Sequence, residues 1–320
     1  MPSFTASAPG KIILFGEHAV VYHRPAIAVP VPDVHARAIV NPDPRGSPGK
    51  VHIQAPDIQL DQFLSNLPED QPIAKAVWTL LKFLNLDQPP ACTLRVTSTI
   101  PLAAGMGSGA AVSIAILRAF SAFLGHPLAD EQVSMLAFEV EKIHHGTPSG
   151  IDNTVIAYAM PVFFQRRQNE SPLIETFQVK APFRLVIGDT GIPSRTADVV
   201  GEVRRAYQSD THHYESLFDA VGARVLQARQ AIESGDSRLL GHLMDENHEL
   251  LCQIGVSSSE LDRLVKAARS AGALGAKLSG AGRGGNMISL VTPENEEGVV
   301  QALLSNGASR VIRTTIGKQL

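Results

Sequence analysis

Two glycine-rich loops offer the clearest chemistry in the chain. Pro101-Leu-Ala-Ala-Gly-Met-Gly-Ser-Gly-Ala-Ala111 leads from strand-like residues into an apolar, helix-like run. Glycines let the backbone approach an anion closely, and free N–H groups at a helix start hold phosphate. A tight turn packed ahead of a core helix explains the same residues, so both readings stay open. The loop is not a Walker A sequence, because no Gly-Lys-Ser/Thr follows at the required spacing, and it is not a clean Gly-x-Gly-x-x-Gly. Ser279-Gly-Ala-Gly-Arg-Gly-Gly285 is a second such loop, between two strand-like segments. It reads equally as a clamp for a phosphate or substrate and as a bare hairpin tip.

Charged residues near turns are the other candidates. Lys11 and Glu17 flank a strand–turn, with His18 adjoining. Taken alone, such a lysine or glutamate is a solvated surface residue. Asp152 follows Gly150 at the start of a helix and is most simply an N-cap, kept ionised by the positive helix end. His144-His145 reads as a surface pair, since no further ligands follow at zinc spacing. No Gly-x-Ser-x-Gly elbow with partners is present.

The elements that must position these residues are marked by Pro and Gly. Strands are expected at 11–15, 26–40 (with Pro30 and Pro32 marking an edge or bulge), 93–99 and 183–188. Residues 41–50 form a Pro/Gly loop. Helices are expected at 72–86, from Ala110 to 124, from Asp130 to Gly146, from Asp152, and at 197–207, 214–233, 239–254 and 260–272. Residues 276–290 read as strand, Gly loop, strand. A soft boundary near residue 180 gives domains 1–180 and 181–320. Mixed helices and strands in both halves indicate an α+β or α/β class.

Composition sets the outer limits. The 320 residues are 44% hydrophobic and 18% charged, with net charge −3. That is a globular balance without the basic footprint of a nucleic-acid binder. Residues 100–124 are long enough to span a bilayer, but Pro101, the Gly/Ser cluster and Arg118 favour a buried core helix, so no membrane contact is expected. Two distant cysteines, Cys92 and Cys252, give neither a disulfide framework nor a zinc motif. A reducing, cytoplasmic setting is the simple reading, and the N-terminus shows no signal-peptide pattern.

Four segments in order carry a resemblance that extends over essentially the whole chain. Ala8-Pro-Gly-Lys-Ile-Ile-Leu-Phe-Gly-Glu-His-Ala-Val-Val-Tyr22 closely resembles the first motif of mevalonate kinases, whereas galactokinases follow Glu-His with Thr-Asp-Tyr. The 101–111 loop is similar to the ATP-phosphate loop of the wider GHMP kinase superfamily, 145–153 to its catalytic-aspartate segment and 277–285 to its third motif. Residues 254–257, 260–262 and 271–277 point the same way.

The resemblance implies an α+β, two-domain GHMP kinase fold, with an N-terminal domain like ribosomal S5 domain 2 and a ferredoxin-like C-terminal domain. It implies ATP-dependent phosphorylation of the 5-hydroxyl of mevalonate, with ATP and Mg2+ as cofactors. Asp152 would orient or deprotonate that hydroxyl, and Lys11 would keep Asp152 ionised. Glu17, His18 and Thr196 would line the substrate pocket. Gly105, Met106, Gly107, Ser108, Gly109 and Ala110 would cradle the ATP phosphates, with Gly280, Ala281 and Gly282 as the third loop. Glu141 and Ser108 would bind the metal. Gly109 departs from the family's second serine, the one credited with touching magnesium. For assembly, the resemblance admits a homodimer. The alternatives are a phosphomevalonate or sugar kinase, for which Arg195 and Arg283 are available, a related decarboxylase, or a sensor that binds without turnover.

Overall fold

The computed structural model describes residues 2–101, 104–145, 149–168 and 170–317, apart from the side chains of 143–145. These form two compact units interleaved in sequence. The first comprises Met1–Lys11, Val34–Leu102 and Met106–Ala159; the second comprises Ile12–Asp33, Ala103–Gly105 and Met160–Leu320. Strands β1 (Phe4–Phe15) and β2 (Pro25–Pro42) each contribute residues to both. The expected boundary near residue 180 falls within the second unit.

In the first unit, β3 (Val51–Ala55), β4 (Leu60–Phe63) and β5 (Cys92–Ser98) join the C-terminal part of β2 in the order β4-β3-β5-β2. Val51–Gln54 run parallel to Cys92–Arg95. Parallel neighbours need a crossover, and α1 (Pro72–Phe83) supplies it, burying Ile73, Ala76, Val77 and Leu80 at helical spacing. Three more helices follow, α2 (Ser108–Phe123), α3 (Asp130–His145) and α4 (Ile151–Tyr158). The apolar segment expected as a core helix is α2, with Ile114, Ala115, Ile116, Leu117 and Phe120 fully buried. Its single charge, Arg118, pairs with Asp130 and donates to the Ala157 carbonyl. Among the described residues, no helix is long and apolar enough to cross a membrane.

In the second unit, Pro25–Ala28 of β2 pair antiparallel with β6 (Val162–Gln165), which pairs with β7 (Leu173–Thr176). Pro30 and Pro32 fall between the stretch of β2 paired with β6 and the stretch paired with β5, so neither ladder loses a hydrogen bond. Next come β8 (Phe183–Asp189) and the helices α5 (Thr196–Ser209), α6 (Thr211–Ser234), α7 (Ser237–Ile254) and α8 (Ser259–Ser270). The chain ends with β9 (Gly275–Ser279), β10 (Asn286–Val291), α9 (Glu296–Ser305) and β11 (Arg310–Ile316). The sheet order is β11-β8-β10-β9, all antiparallel. Strand–helix–strand–strand–helix–strand in that order is ferredoxin-like, and the class is α+β, both as expected.

The sequence reading missed β3, β4, β6, β7, α9 and β11. The strands among them are mostly short or half-exposed and carry weak alternation. It also placed the start of β1 too late, and that of α2, which begins at Ser108 rather than Ala110.

The core of the second unit gathers Phe218, Leu251, Leu264, Leu278, Met287 and Leu303. Tyr22 stacks on Phe218 with ring centroids 4.2 Å apart, and Arg24 pairs with Glu215 and Asp219 of the same helix. These contacts anchor the turn after β1 to α6. Phe218→Ala should therefore cost about 3–5 kcal/mol. A urea melt followed by near-UV dichroism checks this; a loss below about 1 kcal/mol would mean that the ring is not a core element.

Candidate active site

Within the first unit, β1 and α4 bring two charges together. Lys11 Nζ lies 3.1 Å from Asp152 Oδ1, with side-chain exposures of 9% and 29%. The Lys11 amide donates to the Met106 carbonyl at 3.0 Å, which pins the phosphate-type loop to β1. Gly107 is held against the Lys11 side chain. Its φ is +71°, and a Cβ there would stand 2.9 Å from Lys11 Cγ and from Ile156 Cδ1. Only glycine meets both demands.

Helix α2 begins directly after Gly107, which provides no side-chain cap. The N–H groups of its first turn have no intrahelical acceptor, as an anion cradle requires. One expectation is corrected here. Gly150, with φ +84°, occupies the N-cap position of α4, and Asp152 lies in the first helical turn. Its carboxylate is aimed at Lys11 instead of capping the helix.

Glu141 of α3 is buried at 9% exposure. Burial first, then the charge of Asp152, pushes its carboxyl up to about 7, against the opposing pull of Lys11. A buried carboxylate beside a second carboxylate is a hard-oxygen donor set suited to Mg2+. The residues present therefore fit that ion. Ser108 adds a hydroxyl at the start of α2. The side chains of His144 and His145, and residues 146–148, lie outside the described residues.

The second unit assembles a different constellation. Glu17 and His18 follow β1 and are 3% and 5% exposed, so the surface reading of Glu17 is corrected. Lys277 Nζ contacts Glu17 Oε1, and Asn247 Nδ2 donates to Oε2 at 3.3 Å. His18 Nε2 lies 2.8 Å from the Ala281 carbonyl. Burial, the largest effect, holds the His18 imidazole below its ordinary value.

The third glycine loop has positive φ at Gly280, Gly282, Arg283, Gly284 and Gly285. A Cβ at Gly282 would collide with the Val256 carbonyl, whereas Gly280, Gly285 and Gly105 face open space. Those three line a cavity with Ser194, Thr196 and Asn286. Thr196 is exposed at the start of α5. Asn286 Nδ2 donates to the Ala104 carbonyl at 2.7 Å, while its buried Oδ1 has no partner among the described residues.

Sequence reasoning missed Lys277, Asn247 and Asn286 as site residues. Lys277 had a signal, since a lysine between Ala276 and Leu278 in an apolar strand demands a counter-charge. Among the described residues, one group of three metal-capable side chains occurs, His248, Cys252 and Asp262. It does not suit magnesium, because imidazole and thiol are softer donors. His248 Nδ1 accepts from the Leu278 amide at 3.3 Å, which leaves the Nε2 proton facing Asp262 Oδ1 at 3.4 Å. Both cysteines are free, in line with the sequence reading.

The models for the GHMP kinases N terminal domain and the GHMP kinases C terminal match residues 72–160 and 228–309. The mevalonate kinase of Thermococcus sibiricus is 36% identical over 96% of this chain and 94% of its own length. That of Pyrococcus horikoshii is 35% identical over 97% and 95%. The crystal structure of L. major mevalonate kinase in complex with R-mevalonate superposes with a TM-score of 0.84 at 33% identity, covering 98% of this chain and 96% of that one.

Two predictions follow from the first-unit geometry. Glu141 binds its proton more tightly folded than unfolded, so it contributes stability below the unfolded value of about 4.5 that is lost as pH rises to about 7. Glu141→Gln should flatten that slope and make the metal-free protein more stable well above pH 7, by about 3 kcal/mol. Parallel thermal melts across this range check it, and identical slopes would refute it. Gly109 has ordinary helical backbone and an open Cβ position. Gly109→Ser should therefore fold normally and gain up to about 0.5 kcal/mol; a lowered melting temperature would show a clash.

Proposed function

Because the chain belongs to the mevalonate kinases of the GHMP kinase family, we propose that it transfers the γ-phosphoryl group of ATP to the 5-hydroxyl of mevalonate. The observation that carries this reading is the Lys11–Asp152 pair at 3.1 Å, beside an uncapped helix start. In the proposed reaction the substrate O–H donates to the Asp152 carboxylate, which aims the oxygen and takes up its proton as the bond to phosphorus forms. The bond from phosphorus to the bridging oxygen of ADP breaks in the same event. Lys11, 3.1 Å from Asp152, orients the carboxylate and stabilises negative charge on the transferring group.

Phosphoryl transfer is mostly positioning and electrostatics, and these residue types suffice for it. N–H groups from Gly107 to Ala110 would hold the ATP phosphates. Glu141, Asp152 and the Ser108 hydroxyl would hold Mg2+, which supplies charge neutralisation between the phosphates when bound. Glu17, His18 and Thr196 would serve the mevalonate side, His18 and Thr196 directly and Glu17 indirectly; Thr196 and Gly280–Gly282 line one cavity of the second unit. A cytoplasmic enzyme acting on small molecules, without nucleic acid or membrane and with homodimeric assembly open to test, fits the same reading.

Two alternatives lose ground on specific observations. A phosphomevalonate kinase needs free cations for the substrate phosphate. Arg283, available on sequence grounds, instead pairs with Glu202 and donates to the Gly255 carbonyl. A silent sensor would not need the Lys11–Asp152 pair.

An ATP-consumption assay with Mg2+, offering mevalonate, 5-phosphomevalonate, galactose and homoserine separately, tests the proposal. Turnover with mevalonate is expected, and silence with it would sink the reading. Asp152→Asn should lower kcat by at least about 100-fold with ATP binding retained, measured by single-turnover kinetics and nucleotide titration. Near-normal kcat would remove Asp152 from the chemistry.

A further inference from the structure

We infer that Lys277 is a positioning residue for the transfer, acting through Glu17 to hold His18 and the 280–285 loop, and that Glu17 does not itself touch substrate. The inference rests on the mevalonate kinase reading of the site. Lys277 and Glu17 side chains are 0% and 1% exposed. Both Glu17 oxygens are engaged, Oε1 by Lys277 and Oε2 by Asn247. Lys277 Nζ donates a further bond to the Leu278 carbonyl at 2.6 Å and lies 5.9 Å from the centre of the Phe15 ring. With 1% side-chain exposure, Glu17 offers a substrate no solvent route to its carboxylate.

A sealed ion pair is weak evidence for stability, because desolvation offsets the attraction. Its use here is geometric. Two more bonds join the same two segments. Ser279 Oγ donates to the Ile13 carbonyl at 2.6 Å, and His18 Nε2 meets the Ala281 carbonyl at 2.8 Å. His18 has φ +60°, a conformation that a non-glycine residue keeps only when its surroundings hold it. Lys277 sits in β9 opposite Ile288 of β10, so it transmits a fixed strand position to that turn. The carbonyl that His18 meets belongs to the loop lining the cavity with Thr196. Lys277 thus sets where His18 and the loop stand, from a place substrate does not reach.

A double-mutant cycle tests this. Wild type is first assayed with mevalonate and ATP; absence of turnover there would overturn the activity reading itself. Lys277→Met and Glu17→Gln should each lower kcat/KM for mevalonate on the order of 100-fold, with KM for ATP little changed. The E17Q/K277M pair, which leaves no buried charge unanswered, should recover at least about tenfold of that loss. A double variant that melts like wild type yet stays as low as E17Q would overturn the inference, because Glu17 would then contact substrate. Single variants with unchanged constants would overturn it too. If K277M does not fold, E17Q against E17Q/K277M decides. If the double variant does not fold, Asn247→Leu replaces it: a raised mevalonate KM supports the role, and unchanged constants overturn it.

Discussion

A charge taken out of water has to be met by an opposite charge or by hydrogen bonds, and the first strand and the turn after it raise this demand twice. Lys11 answers to Asp152 and Glu17 answers to Lys277. The two pairs differ in one respect that separates their uses. Asp152 retains 29% side-chain exposure, so its carboxylate stays open to a further hydrogen bond while it pairs with the lysine. Glu17 retains 1%, so its pair can only fix geometry. The short segment from Lys11 to His18 therefore holds one charge in a partly open pair and one in a sealed pair.

The glycines divide along similar lines. Gly282 and Gly284 are needed because a side chain would strike the carbonyls of Val256 and Ile192. Gly105, Gly280 and Gly285 meet nothing, yet all three have positive φ, so they are needed for the backbone path that faces the cavity. A glycine run in sequence merges these two reasons. That is why the loop near residue 280 read equally as a clamp and as a bare tip, and why only its three-dimensional setting separates packing from access.

Much of the architecture was legible because strong periodicity survives in sequence. Helices α1, α3, α6, α7 and α8 lie close to their expected spans, since each has a continuous buried face. Strands β4 and β7 were not legible, being four residues each and largely unburied. At the site, Lys11, Asp152 and Glu141 could be placed by motif, and the resemblance set Lys11 beside Asp152; the 3.1 Å distance between them is set by the packing of β1 and α4. The N-cap reading of Asp152 failed for a related reason. Local preference favours a cap, and Gly150 with positive φ took that position while the tertiary partner Lys11 drew the carboxylate elsewhere. Lys277 carried a signal in its apolar surroundings, but which residue would answer its charge could not be read from sequence, because Glu17 lies 260 residues away.

Gly109 lies in the first turn of α2 with open space where a side chain would stand. An anion cradle made of first-turn N–H groups depends on backbone direction, and glycine at the second position of α2 leaves that direction intact. What glycine removes is one hydroxyl, a neutral donor to a hard cation. Glu141 and Asp152 are carboxylates, one of them buried enough to be held near 7. On the proposed reading, carboxylate oxygens would be the larger contribution to holding Mg2+ and a single hydroxyl the smaller one. Loss of the serine would then leave the proposed phosphate contacts, which are backbone N–H groups, unchanged.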